Sequence, residues 1–482
     1  MTHFLKSIGD KSQAEKIILR GTRYVPAYRK FIEANGGNIL LDSVPQTDKT
    51  KYLMTNNYRE LLSDDYEETF TIFASSGSSG KTFYWPQLKS NHINTLPRLS
   101  EFLETAFEVS KKKTLAIIGL ALGSWIGGEH FSWALKSFAI NSKFPFSVFS
   151  PGNHHDEIIK MIISANDFAE QFIIFLCPSA IAHLKLRAEF LGVELPLEKL
   201  KFVVLGEAFP ERVRETVQKD AKVSGSINVM FSIYGSADTG TLGVESLPSI
   251  VLRKIFTREP EVAKELGFSP PIPHFFHYVA TDAYLETINN ELIITKWQGI
   301  PLFRYNLHDS ARLISWKKTK NLVLSLSNSF SKDSLNLLEI LKRSPDNLPD
   351  IISITGRADS TLILCGTNIS EAMLDEAINA EELLPYLTGN YLAKIKYTGA
   401  RQRLAMDLEF KAGQELSKEN KDKVYRLLIQ SLGRVQPEFM NDWQNFYKVW
   451  DKDPTRRIIE INYYKWPEMS RQISIKHRGI QR

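Results

Sequence analysis

The sequence predicts an α/β protein. A large N-terminal domain of parallel sheet and helices spans residues 1–357, and a small mobile α+β domain spans residues 358–482. Three observations carry this expectation. From about residue 110 to 235, short β-prone apolar runs alternate with amphipathic helical segments, as in a parallel sheet. Past residue 355 the pattern changes to a hairpin followed by a helix. Between an apolar run and three aromatics lies a loop of serines and glycines ending in lysine, Ser75-Ser76-Gly77-Ser78-Ser79-Gly80-Lys81.

The parallel half is expected from strands at Thr114–Ile118, Phe146–Phe149, Phe172–Cys177, Phe202–Leu205 and Val229–Ile233. Helices are expected between them at Asp156–Ser164, Ser179–Leu191 and Pro210–Lys219. The last opens with proline and glutamate, which suit the first turn and the helix dipole. In the small domain, Leu392–Tyr397 and Leu404–Phe410 read as a hairpin, the second strand alternating Leu404, Met406, Leu408 and Phe410. A helix over Ser417–Leu432 follows, with Ser417 as cap and Gly433 as stop, then a β-rich stretch at Phe446–Trp450.

Composition bounds the function. With 43% hydrophobic and 24% charged residues, the 482-residue chain has the make-up of a globular enzyme of two or three domains. A net charge of only +5, with scattered lysines and arginines, argues against a nucleic-acid groove. The longest apolar runs fall short of the roughly 20 residues that span a bilayer. No signal peptide is visible at Met1–Lys6, so a cytoplasmic location without membrane contact is expected. Cys177 and Cys365 lie too far apart to suggest a disulfide framework or a metal cluster.

The Ser/Gly loop is suited to polyphosphate, because glycines let amides turn inward, hydroxyls add donors and Lys81 adds a point charge. It nearly matches the G-x-x-x-x-G-K-[ST] pattern of a P-loop hydrolase, with Ser75 in place of the first glycine. That pattern must open into a helix, whereas Phe83-Tyr84-Trp85-Pro86 reads as a strand or turn. Strand–loop–strand is therefore favoured, and the P-loop hydrolase is the weaker reading.

Four other segments carry polar groups. Ser232-Ile233-Tyr234-Gly235-Ser236-Ala237-Asp238 leaves a buried strand with an aromatic that can stack on a base and a carboxylate that can hold a cation. In Pro301–Asp309, Asp309 can accept both hydroxyls of a ribose, or simply pair with Arg304. Gly356-Arg357-Ala358-Asp359 joins an arginine suited to ribose or phosphate with a flexible turn. Lys476 lies in a basic tail that is either solvated or a lid.

Taken in order, these segments resemble the adenylate-forming superfamily of acyl-CoA synthetases, adenylation domains and luciferases, and within it the phenylacetate–CoA ligase branch. Ser75–Lys81 is similar to S-S-G-T-T-G-K-P, and Gly119–Gly128 to Y-G-x-x-x-G-G. Gly206-Glu207-Ala208 with Arg214 is similar to G-G-E-P-x-x-x-x-x-R, and Tyr234–Asp238 to Y-G-x-[ST]-E. Glu291–Thr295 with Pro301–Asp309 resembles G-E-L-V-V-T and P-L-I-R-Y-x-x-G-D, and Gly356–Asp359 resembles G-R-x-D-D. The chain departs from these patterns at Ala237, Asp238, His308 and Glu371, where a hydroxyl residue, glutamate, glycine and proline are usual. A polar insertion at about Lys317–Pro349 stands where many relatives carry cysteines.

The resemblance implies ATP-dependent activation of a carboxylic acid as an acyl-adenylate, with pyrophosphate release, then transfer to a thiol such as coenzyme A. Ser75, Ser76, Gly77, Ser78, Ser79, Gly80 and Lys81 would hold the phosphates, and Tyr234 would stack on adenine beside Gly206, Glu207, Ala208, Ser232, Gly235 and Ser236. Asp309 and Arg357 would take the ribose, and Asp238 would act with Mg2+. Lys476 would be the mobile catalytic lysine and Asp359 its hinge. Trp125, Gly127 and Thr241 would line a pocket for an aromatic or apolar acid. Transfer to an amine or a carrier protein, and a degenerate member that binds nucleotide without full transfer, are the alternatives. A homodimer is compatible with the sequence.

Overall fold

The computed structural model describes residues 3–75, 82–221, 227–327, 330–358, 361–469 and 479–480. They form two compact units, one of residues 3–75 and 83–358, the other of residue 82 with residues 361–469 and 479–480. The α/β class expected from the sequence is the class observed.

One 13-stranded sheet runs through the larger unit. Its order is Ser7–Ile8, Ala283–Ile288, Glu291–Lys296, Leu302–Ile314, Ile351–Arg357, His274–Tyr278, Gly240–Val244, Met230–Ser236, Leu200–Val204, Gln171–Leu176, Thr114–Ile118, Phe146–Phe149, with Phe4–Leu5 paired to Leu302–Ile314 off this path. The last five strands pair in parallel, as expected from their alternation with helices. Gln171–Leu176 is buried along its whole length, which explains its continuous apolar run. From Gly240 onward the pairings are antiparallel, a half of the sheet that the sequence showed only in fragments. Met230–Ser236 sits at the seam, with a parallel neighbour on one side and an antiparallel one on the other.

The two halves bury separate cores. Phe102, Phe131, Phe175, Phe231 and Phe256 belong to the core of the parallel half, which also takes in Phe275, Ile314 and Ile351 from the antiparallel strands. Tyr28, Trp85, Phe303 and Tyr305 belong to that of the antiparallel half. The polar insertion folds as two helices, Trp316–Ser325 and Lys332–Arg343, and buries Leu337, Leu338 and Leu341 in the first core. Thr69–Ser75 pairs antiparallel with Phe83–Leu88, so a strand and not a helix follows the Ser/Gly loop. That geometry disfavours the P-loop reading, since among the described residues the segment after the loop, Phe83–Leu88, is a strand where that pattern requires a helix amino end to face phosphates.

In the smaller unit a four-stranded sheet runs Ile459–Tyr464, Arg401–Phe410, Leu387–Thr398, Gly479–Ile480. Leu404, Met406, Leu408 and Phe410 are all buried, as their alternation requires. Ser417 caps the helix Lys418–Val435, its hydroxyl accepting from the Asn420 amide. Two expectations fail here. Gly433 does not stop the helix but lies inside it, where a Cβ would strike the Met440 side chain, so close packing is the reason for the glycine. Phe446–Trp450 is helical rather than β, and the strand expected there is Ile459–Tyr464 instead.

Candidate functional site

The polar groups singled out in the sequence gather at the Met230–Ser236/Gly240–Val244 hairpin and along Leu302–Ile314. The hairpin is tight because two glycines make it so: a Cβ on Gly235 would lie 2.2 Å from the Gly240 carbonyl oxygen. This close approach faces Thr241 across from Gly235 and carries Tyr234, Ser236 and Asp238 on a short rigid turn. Ser236 Oγ shares a hydrogen bond with Thr239 Oγ1 at 3.1 Å and accepts from the Asp238 amide at 3.2 Å.

Two side-chain clusters result. In the first, Tyr234 donates its phenol to Asp309 Oδ2 at 2.6 Å, and Arg357 reaches Asp309 Oδ1 at 3.5 Å while donating to the Leu307 carbonyl at 3.0 Å. The Tyr234 ring stacks on Phe276 with centroids 5.4 Å apart. Burial, then the Asp309 charge and the hydrogen bond to it, push the Tyr234 phenol well above its ordinary value, so it stays a donor. Arg304 does not pair with Asp309. It hydrogen-bonds the Val44 carbonyl at 2.6 Å and pairs with Glu286 at 3.1 Å, which leaves Asp309 to Tyr234 and Arg357.

In the second cluster Tyr305 donates to Asp238 Oδ2 at 2.6 Å, and Lys49 Nζ stands 3.8 Å from Asp238 Oδ1. Lys49 also donates to Ser75 Oγ at 3.1 Å. Neither Lys49 nor Tyr305 carries a sequence signal that marks it as a site residue. Nothing in Thr47–Lys51 announces a site, because the segment is placed by pairing with a strand about 250 residues later. The Thr47 amide donates to the Arg304 carbonyl at 3.2 Å, and the Asn306 amide donates to the Thr47 carbonyl at 2.8 Å. Asp48 then caps the π-helical turn Lys49–Leu53 by accepting from the Lys51 amide.

His308 occupies a left-handed backbone conformation, φ 57°, inside Leu302–Ile314. A glycine suits that conformation better, which gives the usual glycine at this position a physical reason. Its ring lies 3.4 Å from Glu291 and 3.9 Å from Asp48.

The remaining expected residues are positioned as follows. Gly206 adopts φ 86° after the Leu200–Val204 strand, and Glu207 accepts from Ser179 Oγ at 2.7 Å. Ala208 follows them in the same turn, ahead of the Glu211–Asp220 helix. The Ser232 amide donates to Glu245 Oε2 at 2.8 Å. Arg214 is fully buried and pairs with Glu211 at 2.9 Å and Glu245 at 2.8 Å, so its part in the motif is to brace the Met230–Ser236 strand. Trp125 caps the helix Ile126–Asn141 and bridges Ala74, while Gly127 has open space beside it. Ser76, Gly77, Ser78, Ser79, Gly80, Lys81, Asp359 and Lys476 lie outside the described residues.

No protein-family model matches the sequence, and no curated protein matches it. Solved structures do match. A 2-hydroxyisobutyryl-CoA ligase, in complex with 2-HIB-AMP and CoA in its thioesterification state, superposes with a TM-score of 0.58 at 12% identity, covering 98% of this chain and 88% of that one. This chain has the fold of the adenylate-forming ligases. The same ligase in its postadenylation state, in complex with R3-HIB-AMP, matches with a TM-score of 0.50 at 11% identity over the same shares. The adenylate-forming fold carries the large N-terminal and small C-terminal domains that the sequence led us to expect.

No helix among the described residues is long and apolar enough to cross a membrane. Nor does any group of three or more His, Cys, Asp or Glu among them stand ready to hold a metal.

Proposed function

We propose that this chain uses ATP to activate a carboxylic acid as an acyl-adenylate, releasing pyrophosphate, and then passes the acyl group to a thiol such as coenzyme A. The observation that carries this reading is the Asp309 carboxylate, oriented by Tyr234 and Arg357 at the edge of a tight glycine hairpin. A charged carboxylate held this way can accept both hydroxyls of a ribose, which neither an amide nor an alcohol does as well. Support also comes from the fold, shared with a ligase that binds an acyl-AMP and CoA.

In this reading a carboxylate oxygen of the acid attacks the α-phosphorus and the bond to pyrophosphate breaks. The thiol sulfur then attacks the acyl carbonyl, AMP leaves and the thiol proton is lost. The obstacle in the first step is the approach of two anions, so cations and donors must already be in place. Ser76 to Lys81 would hold the phosphates directly, with Ser75 bearing that loop at the end of its strand and Gly206 to Ala208, Ser232 and Tyr234 around the base. Trp125, Gly127 and Thr241 would line the pocket of an aromatic or apolar acid, as the phenylacetate–CoA ligase branch would require. Asp238 would hold Mg2+, whose role when bound is to neutralise phosphate charge. Residues 358–482 would act as a lid turning on Asp359 to bring Lys476 to the adenylate.

The test is a screen of aromatic, aliphatic and amino acids with ATP and Mg2+, read as pyrophosphate release, with and without coenzyme A or amines. AMP formation that needs both an acid and a thiol supports the reading. A preference for amines moves the acceptor to an amide-forming reaction. ADP and inorganic phosphate as products would refute it, and nucleotide binding without pyrophosphate release would mark a degenerate member.

A further inference from the structure

We infer that Lys49 is a phosphate-binding residue for the nucleotide, held ready by Ser75 and Asp238 and handed to the triphosphate when ATP enters. This rests on the ATP-binding reading above and assigns a role within that same site.

The argument starts from the Ser75 hydroxyl. It accepts from Lys49 Nζ at 3.1 Å and from Trp85 Nε1 at 3.2 Å, and it reaches the Phe83 carbonyl at 3.4 Å. A hydroxyl has one donor and two acceptor lone pairs, so this geometry uses all of them within the protein. Ser75, the first residue of the Ser/Gly loop, thus serves here as an anchor and not as a donor aimed outward. Its contribution to phosphate would run through the lysine it holds.

Lys49 has the capacity that Ser75 lacks. An ammonium carries three donors: one goes to Ser75, a second faces Asp238 at 3.8 Å, and the ammonium also lies 5.9 Å from the Phe83 ring centroid, a weak contact that a phosphate can displace. That ion pair is longer than a direct hydrogen bond, whereas Asp238 Oδ2 already has a short one from Tyr305 at 2.6 Å. The Lys49 side chain is mostly buried, 17% exposed, so its charge is not dispersed into bulk water. Its backbone is fixed too: the Met54 amide donates to the Lys49 carbonyl at 2.9 Å, and Asp48 caps the same turn by accepting from the Lys51 amide. A cation on a fixed stem, between a phosphate-loop strand and an acidic hairpin, is built to exchange one anion for another. When a polyphosphate enters, the ammonium turns from Asp238 to the phosphate oxygens, and Asp238 is released from the pair.

The test compares Lys49→Met and Lys49→Arg with the wild type by direct binding of ATP and of adenosine, measured calorimetrically on the full chain. Loss of a charge-assisted contact is expected to weaken ATP binding by about tenfold or more in Lys49→Met, with adenosine binding unchanged and partial recovery in Lys49→Arg. A second measurement uses the wild type alone. ATP, but not adenosine, should protect Lys49 from an amine-acylating reagent, read by peptide mass spectrometry. Equal ATP affinity in wild type and Lys49→Met overturns the assignment, as does equal labelling of Lys49 with either ligand. If the wild type binds ATP and only these differences are missing, Lys49 alone is misassigned. If the wild type binds no ATP, the adenylation reading falls with it.

Discussion

Replacing Glu245 by glutamine tests whether the buried charges beneath the Met230–Ser236 strand hold the site in place. Glu245 is 1% exposed and accepts twice from Arg214 Nη2, at 2.8 and 2.9 Å, and once from the Ser232 amide at 2.8 Å. Burial alone would raise its carboxyl, but the Arg214 charge, the His274 hydrogen bond and the Arg253 charge outweigh burial and hold it at about 2. Glutamine keeps one acceptor oxygen, presents an NH2 group to the guanidinium and removes the charge. Arg214 is then left with Glu211, which Arg253 and Lys254 also share at 3.3 and 3.4 Å. Breaking one side of a buried pair costs about 4 kcal/mol. For a unit of roughly 350 residues, an unfolding entropy near 2.1 cal/mol/K per residue gives about 0.7 kcal/mol/K, so the expected fall in Tm is about 5–6 °C. Differential scanning calorimetry at neutral pH reads it directly. A Tm within about 1 °C of the wild type would show that the network contributes no net stability, and the bracing argument would be refuted.

His308→Gly should be more stable than His308→Ala by about 1 kcal/mol in chemical denaturation, because only the alanine keeps a Cβ at φ 57°. Equal stability would mean that the backbone relaxes. Gly235→Ala should disrupt the hairpin, since its Cβ meets backbone and not a flexible side chain. ATP binding measured by calorimetry should fall along with the Tm. The two units should respond oppositely to pH. Burial and the Arg253 charge hold His274 down at about 4, and burial alone does the same for His277. Both must take up protons on unfolding, so the larger unit loses stability as pH falls from about 6.5 to 4, by at most about 1.4 kcal/mol per pH unit for each histidine. In the smaller unit burial, then the Glu438 charge, push Asp442 up to about 7, so its stability is full at low pH and is lost as pH rises from about 4 through 7. Calorimetric scans across this range check both signs, and Asp442→Asn should flatten the second.

The parallel half of the sheet was legible because helices separate its strands, and the two periodicities alternate cleanly in sequence. The antiparallel half was not, since Ala283–Ile288, Glu291–Lys296 and Leu302–Ile314 pair with one another through short turns, and their outer pairings reach back to Ser7–Ile8 and Phe4–Leu5 at the start of the chain. Phe446–Trp450 reads as β in the sequence because its aromatic content favours strands, while tertiary packing buries Tyr447 and Trp450 from short helical turns. Gly433 shows the same ambiguity from the other side: a glycine near a helix end is a stop signal or a close contact, and only the position of Met440 decides. At the site, Tyr234 and Asp238 stand out in a small-residue turn leaving a buried apolar strand, and Asp309 and Arg357 in segments similar to the ordered family motifs. Lys49 did not, since a lysine among polar residues carries no local signal and gains meaning only from the backbone pairing of Thr47 to Asn306.

The seam strand Met230–Ser236 has a wider consequence. Side chains on a strand alternate between faces, so sliding it by one residue would turn Tyr234 away from Asp309 and bring Ile233 in its place. Ladders of opposite polarity on its two edges oppose such sliding, because no single shift satisfies both. Mispairing therefore carries a high penalty during folding, and the Tyr234–Asp309 contact forms only when both halves of the sheet have come together.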